Sequence, residues 1–400
     1  MNLLKVKIRH IENLAWLIII VILFGQTLFT KVSIISNLML GYIAVMQITR
    51  INVAYRKYYA VLIGVILLLM GYSVIQGNSG GNAVRFALII VFILSAYIWK
   101  VDTRFFLKSL LIISSVVILG LIGLEVFLFT LSDTEYSAFR HEIVRASGVG
   151  DVFYYNNIYY KLELRGTPLI VFVYMLSYVV DIFPRKYKYF FRLYYLIGTI
   201  LAGNFAYQLA IIIFHFVYYM VPAFDDPREL ARRLIRLSFI LVIIGGVLIS
   251  FIAGTMKEKN EAESNPIRYD QTEVLWQDMS QSCLTLLFGT GLGHTLPVKT
   301  KWRDYRENTY FELQTLYFFN QLGLFGFTLL IISIIVLTLR YIKCRECLVV
   351  YSVYVTYAFT NPYIWDTSHI VVIVSLLCAD EQIKLKREHE GKNYLHLSII

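Results

Sequence analysis

Long apolar stretches recur along the whole chain, and each is close to the ~20 residues that an α-helix needs to cross a bilayer. The chain has 400 residues, of which 58% are hydrophobic and only 16% are charged. No soluble domain of this length has such a composition, so the sequence predicts an all-α, polytopic membrane protein. The predicted spans are 13–29, 33–49, 58–75, 83–99, 105–131, 165–183, 189–203, 205–222, 235–254, 324–341, 346–360 and 363–379.

The net charge of +10 is explained by the orientation of the chain in the membrane rather than by a nucleic-acid partner. The basic residues lie mainly in short loops between apolar runs, and cytoplasmic loops of membrane proteins are enriched in lysine and arginine. With the N-terminus in the cytoplasm, most of the 37 lysines and arginines fall in cytoplasmic segments. The sequence therefore predicts that both termini are cytoplasmic.

Two long segments, 132–164 and 255–308, fall on the outer face in this arrangement. Long connections in compact proteins are usually functional or disordered, and the many aromatic residues of these two argue against disorder. Residues 309–322 are predicted to form a helix in the outer membrane interface, with the next span starting after the Gly323–Gly326 corner. Residues 1–379 then form one integral membrane domain, and residues 380–400 form a cytoplasmic tail.

The sequence LFGTGLGH at 287–294 contains the spacing of a nucleotide-binding glycine loop. Such a loop needs a preceding strand and a following helix, whereas the residues before it are predicted to be helical. We therefore interpret Gly289, Gly291 and Gly293 as a tight turn whose backbone approaches either a phosphate or a neighbouring helix.

Arginines on the outer face are not needed for topology. Guanidinium groups bind phosphate oxygens in a bidentate manner and stay protonated, so they suit an anionic ligand such as a lipid-linked phosphate. Pairing with local carboxylates is the alternative. The arginines concerned are Arg140, Arg145 and Arg165 in or beside the first loop and Arg268, Arg303 and Arg306 in the second.

Glu307 is the predicted general base. It lies where the second loop meets an apolar helix, and partial desolvation there would raise the pKa of a carboxylate toward neutrality. An N-terminal helix carboxylate is the alternative role. His294 is a second possible base, and Trp276 and Tyr310 are predicted to contact substrate. Within the membrane, Glu125 and Arg85 are expected to pair across neighbouring helices.

No metal or other cofactor is expected from the sequence. Cys344 and Cys347 have the spacing of a metal or redox motif, but no second cysteine or histidine pair lies near them in the chain. The absence of an Asp-x-Asp motif argues against nucleotide-sugar chemistry. The pair is therefore interpreted as incidental.

The order of these elements resembles the signature region of the O-antigen polymerase (Wzy-type) and O-antigen ligase superfamily. The resemblance covers residues 268–341: Arg268, then Trp276, then LFGTGLGH, and then ENTYFELQTLYFFNQLGLFGF. Arg165-Gly166-Thr167-Pro168 is similar to an Arg-Gly element of the same proteins. Ligases tend to carry His-Asn where this chain has Glu307-Asn308, which favours the polymerase branch. A Ser-Arg pair is missing, because the corresponding place reads Gly203-Asn204-Phe205.

The resemblance implies a GT-C-like membrane enzyme of the bacterial inner membrane. Such polymerases join oligosaccharide repeat units carried on undecaprenyl diphosphate at the periplasmic face, without a metal, and some work with a chain-length regulator. Glu307 would be the base, and Arg268 and Arg165 would stabilise the leaving diphosphate. The other arginines, His294, Trp276 and Tyr310 would bind substrate. An O-antigen ligase, a lipid-linked oligosaccharide flippase and a non-catalytic membrane protein are the alternatives.

Overall fold

The fold was analysed in a computed structural model that describes residues 2–25, 33–49, 53–155, 158–238, 264–301, 304–306, 309–359 and 361–389. The described chain is mostly helical and contains one two-stranded sheet. The helices are α1 Asn2–Phe24, α2 Ser33–Thr49, α3 Val53–Ile75, α4 Gly80–Ala96, α5 Thr103–Leu128, α6 Asp133–Ala138, α7 Pro168–Val179, α8 Lys188–Leu201, α9 Phe205–Met220, α10 Ser264–Met279, α11 Cys283–Phe288, α12 Gln314–Tyr341, α13 Arg345–Phe359 and α14 Thr367–His389.

Four helices in the described part of the chain are long and apolar enough to cross a membrane: Lys57–Ile75, Thr103–Leu128, Phe205–Ala223 and Gln314–Tyr341. Three shorter apolar helices accompany them, at Ile34–Gln47, Gly80–Ala96 and Pro168–Val179. The prediction of a helical membrane protein is therefore confirmed. Twelve spans and a GT-C-like arrangement remain predictions, and most of the predicted span 235–254 lies outside the described residues.

The all-α prediction missed a β-hairpin in the first long loop. After α6 and a π-helical segment at Phe139–Arg145, strand β1 (Gly150–Tyr155) pairs antiparallel with strand β2 (Tyr159–Leu164). β-Branched and aromatic residues dominate β1, and two tyrosines begin β2, which suits a half-buried pleated surface.

Helix α12 contains a break that the sequence anticipated at the Gly323–Gly326 corner. Gly323 has φ 64° and ψ −179°, while helical geometry continues on both sides of it. The helix begins at Gln314, so the first residues of the predicted interfacial helix, from 309 onward, precede it. At the other end of the chain, α14 continues to His389 through the predicted start of the tail.

Helix α7 lies at the centre of the bundle, with every residue from Pro168 to Ser177 buried. It packs against α5, α8, α9, α13 and α14. Helices packed around α7 run in alternating directions, so their termini gather at two ends. We call these the hairpin end, where β1, β2 and the start of α7 lie, and the tail end, where α13 begins and α14 ends.

Short polar contacts fix each end. At the hairpin end, the Tyr160 N–H donates to Glu125 Oε1 at the end of α5, at 2.8 Å, and Arg85 donates to Thr309 Oγ1 at 3.3 Å. The expected Glu125–Arg85 pair is therefore wrong, because Glu125 binds β2 and Arg85 binds the segment that precedes α12. At the tail end, Asp181 binds Lys188 at 2.7 Å and also pairs with Lys386.

Candidate functional site at the hairpin end

The glycine turn at 289–293 is a docking element for the broken helix α12. Each backbone N–H of the turn donates to an oxygen at 2.6–3.0 Å, in order Thr285 O, Asn320 O, Gln321 O, Ser73 Oγ and Gln321 Oε1. The break at Gly323 interrupts the helical hydrogen-bond ladder, and the turn caps the carbonyls just before it. No N–H group of this turn is therefore left for a phosphate, which favours the helix-docking interpretation.

The same turn is attached to the loop between α3 and α4. The Tyr72 hydroxyl donates to Gly289 O and Asn78 Nδ2 donates to Thr290 O, both at 2.8 Å. A Cβ atom on Gly291 would lie 2.6 Å from Asn78 Nδ2, closer than real side chains approach. Glycine is needed here because three backbone segments meet without space for a side chain.

His294 lies at the end of the turn, and an oxygen of a neighbouring side chain faces each of its ring nitrogens. Because Asn78 Nδ2 is bound to Thr290 O, Asn78 Oδ1 faces His294 Nδ1, at 3.2 Å. Asp278 Oδ2 lies 3.2 Å from Nε2 and also accepts from Asn320 Nδ2 at 2.9 Å. Both ring nitrogens therefore face protein groups at hydrogen-bond distance, and neither points toward open space where a substrate could approach. The geometry gives His294 a bracing position rather than that of a general base.

Replacement of His294 by alanine is expected to destabilise the hairpin end. Burial alone would raise the pKa of Asp278, but hydrogen bonds from His294 and Asn320 bring it below its usual 3.8. The stabilisation by this carboxylate is thus complete above pH 3.8 and is lost as the pH falls through the lower folded-state value. We expect His294→Ala to cost about 1–3 kcal/mol at neutral pH, since Asp278 stays buried without its partner.

Thermal unfolding in detergent, followed at neutral pH and at falling pH, measures both effects. The variant should unfold earlier than the wild type at neutral pH and lose less stability on acidification. His141→Ala is the matched control, because His141 is exposed in the first loop. Equal stability of both variants would contradict the bracing position of His294.

Arg140 and Arg145 are both committed to one carboxylate. Arg140 binds Asp151 through Nε and Nη2 at 2.8 and 3.2 Å, and Arg145 binds it through the same two nitrogens at 2.8 and 2.6 Å. Burial would raise the pKa of Asp151, but these bonds lower it below its usual value. The alternative interpretation of these two arginines, pairing with a local acid, is the arrangement observed.

Arg165 differs from them. It follows β2 directly, its guanidinium is exposed beside Gly148, and it makes no ion pair within the described part of the chain. Its backbone N–H donates to Val149 O at 2.9 Å, which fixes its place at the base of the hairpin. Gly166 behind it packs against the carbonyl of Leu23 at the end of α1. A rigid backbone thus presents an available cation at this end.

The second-loop arginines are placed differently. Arg268 on α10 is half-buried and contacts Glu312 at 3.3 Å, while the exposed Arg306 pairs with Asp304 at 2.6 Å. The predicted base Glu307 and Arg303 lie outside the described residues. The predicted substrate contacts Trp276 and Tyr310 are 54% and 50% exposed.

A turn at Pro362–Trp365, which was not among the predicted site residues, packs against the start of α12 through a hydrogen bond from Trp365 Nε1 to Thr315 Oγ1 at 3.2 Å. Tyr363 in this turn lies in electrostatic range of Tyr310, which follows the second loop, and of Glu163 on β2. Its hydroxyl accepts a hydrogen bond from the Tyr207 hydroxyl on α9 at 3.3 Å. The hairpin, the approach to α12 and the 361–366 turn therefore form one polar, tyrosine-rich group.

Asp366 is a further member of this group. It ends the turn, is half-buried, and accepts a hydrogen bond from the Ser368 N–H at 2.7 Å as the N-cap of α14. It also interacts electrostatically with Tyr363. The sequence Asn-Pro-Tyr-Ile-Trp-Asp at 361–366 carried a signal for it, because polar and aromatic residues interrupt two apolar runs there.

Comparison of the chain with protein-family models, with curated proteins and with solved structures finds no match. The contacts at the hairpin end are therefore the observations from which a function is proposed.

Proposed function

We propose that this chain is a polymerase that joins undecaprenyl-diphosphate-linked oligosaccharide repeat units into O-antigen or a related surface polysaccharide. The hairpin end would face the periplasm in the bacterial inner membrane, and the tail end, with its lysines and arginines, would face the cytoplasm. This places the available cation and the exposed aromatic rings where lipid-linked glycans are assembled.

The observation that carries the proposal is an exposed arginine, Arg165, that is held at the base of the hairpin without an ion pair among the described residues. Arg165 is exposed and makes no ion pair among the described residues, while Arg140 and Arg145 are both paired with Asp151 on β1. Tyr363 lies in electrostatic range of Tyr310, which follows the second loop, and of Glu163 on the strand that leads into Arg165. One site can thus hold a diphosphate and a sugar together.

The proposed reaction transfers the growing glycan from its diphosphate to a hydroxyl of the incoming lipid-linked unit. The anomeric carbon–oxygen bond to the diphosphate breaks as the acceptor oxygen bonds to that carbon, and the acceptor proton passes to a base. Arg165 stabilises the negative charge that develops on the leaving diphosphate. Glu307, four positions before Phe311, is proposed as the base, and Trp276 and Tyr310 are proposed to stack on sugar faces.

Arg268 has a second proposed part in the same reaction. Its guanidinium contacts Glu312 through Nε, so its other nitrogens remain available to a phosphate oxygen. Since Glu312 lies between Tyr310 and the start of α12, this contact ties α10 to the segment that carries the proposed sugar contact.

The test is the length of the surface glycan, measured by gel electrophoresis in a producing strain that lacks the gene. The deletion strain should make glycan with a single repeat unit on its acceptor, and the wild-type chain should restore the ladder. If the deletion removes the single-unit product too, export or ligation is the function instead.

Glu307→Gln is expected to restore no ladder, because the amide cannot accept the acceptor proton. Glu273→Gln, which alters an exposed carboxylate on α10, is the matched control and should restore the ladder fully. Both variants are compared at equal amounts in the membrane. A normal ladder with Glu307→Gln would remove the base assignment while leaving the polymerase proposal in place.

A further inference from the structure

Three metal-ligating side chains come together at the tail end, away from the candidate site. The sulfurs of Cys344 and Cys347 and a carboxylate oxygen of Asp380 lie within 4.8 Å of one another, and all three residues are buried. Asp380 is on α14, more than thirty positions along the chain from the two cysteines. Only the cysteine pair is visible in the sequence, because helix packing brings Asp380 to it.

The spacing of these atoms fits a shared cation. In a tetrahedral zinc site with Zn–S near 2.3 Å and Zn–O near 2.0–2.2 Å, neighbouring ligand atoms are about 3.3–3.8 Å apart. Atoms that already lie within 4.8 Å reach such positions by an adjustment of roughly 1 Å. Two thiolates with carboxylate oxygens form a donor set that zinc accepts.

A further carboxylate, that of Glu346, contacts one member of this cluster. Glu346 Oε2 lies 2.9 Å from Cys344 Sγ, and its other oxygen is 3.6 Å from Arg387. Glu346 directly follows Arg345, the first residue of α13, so it shares the short turn that holds Cys344 and Cys347.

Asp380 is oriented by the backbone in a way that suits a ligand. Its Oδ1 accepts hydrogen bonds from the N–H groups of Lys343, at 2.9 Å, and Cys344. Such bonds fix the direction of a ligating carboxylate in known metal sites. Capping of the start of α13 explains the two hydrogen bonds to Asp380 Oδ1. It does not explain why two buried thiols lie beside the same carboxylate.

We propose that Cys344, Cys347 and Asp380 bind a zinc ion, with Glu346 as the fourth ligand. Binding converts both thiols to thiolates and releases two protons to solvent as two Zn–S bonds form. The ion clamps the turn before α13 to α14. The opposite ends of these two helices lead into the turn that carries Tyr363 and Asp366, so the clamp holds the framework of the candidate site without joining its chemistry.

Metal content of the purified full-length chain is the test. The protein is prepared in detergent through an affinity tag without histidine, and its zinc is measured by mass spectrometry. We expect about one zinc ion per chain, a value that falls at least several-fold in Cys347→Ser and Asp380→Asn. Cys378→Ser is the matched control, because Cys378 is also buried on α14 but is not part of the cluster.

Two measurements on the unaltered protein do not depend on the folding of variants. Loading with Co²⁺ should produce a thiolate-to-cobalt charge-transfer absorption, and removal of zinc by a chelator should make two further thiols reactive toward a maleimide. A wild-type chain without bound zinc and without the cobalt absorption would overturn the proposal. A disulfide between Cys344 and Cys347 in freshly prepared protein would overturn it as well.

Discussion

Gly323→Ala is expected to unfold the hairpin end, with a loss of about 3 kcal/mol or more. The φ and ψ of Gly323 lie in a region that is essentially restricted to glycine, and another residue there costs about 1–3 kcal/mol. A Cβ would also lie 2.3 Å from Gly289 N, so the glycine turn would have to move. That turn caps the first part of α12 and holds His294 in place. The free-energy cost of the backbone strain therefore adds to that of the lost contacts.

The melting temperature of the detergent-solubilised protein measures this effect. Gly120→Ala in α5 is the matched control, because a Cβ there meets nothing within 4 Å. It should be neutral or slightly stabilising, as expected for alanine in place of glycine inside a helix. Equal melting temperatures for Gly323→Ala and the wild type would show that the break in α12 and its contact with Gly289 are not present.

Arg165→Ala is expected to abolish the glycan ladder while the protein remains at its normal level in the membrane. The guanidinium is exposed and has no ion pair among the described residues, so its removal leaves no buried charge behind. Loss of one preorganised contact to developing charge typically costs about 10²–10³-fold in rate. Arg165→Lys should recover only part of the activity, because an ammonium group cannot bind two phosphate oxygens as a fork.

Ladder length in the complemented deletion strain is again the measurement. Arg104→Ala, which removes an exposed arginine at the tail end, is the control and should leave the ladder unchanged. If Arg165→Ala supports a full ladder, Arg165 does not stabilise the leaving diphosphate. In that case the polymerase proposal would depend on Arg268 and Glu307.

Several features of the site were accessible from the sequence. Apolar length identified the helices, and the Gly323–Gly326 corner indicated the break in α12, because two glycines so close together disfavour a continuous helix. The hairpin also had a signal that was missed. Its two aromatic-rich segments flank an Asn-Asn pair, a common turn composition, but the high content of apolar helices obscured this short-range pattern.

The sequence by itself determined that this chain is a helical membrane protein, because apolar length and composition decide whether a segment is stable in lipid. Only the tertiary structure decided which arginines are available. Arg140, Arg145 and Arg165 are chemically identical, but strand pairing places Asp151 against the first two and leaves the third exposed. The tertiary structure also placed Asp380 beside Cys344 and Cys347, because helix packing brings together residues that are far apart along the chain.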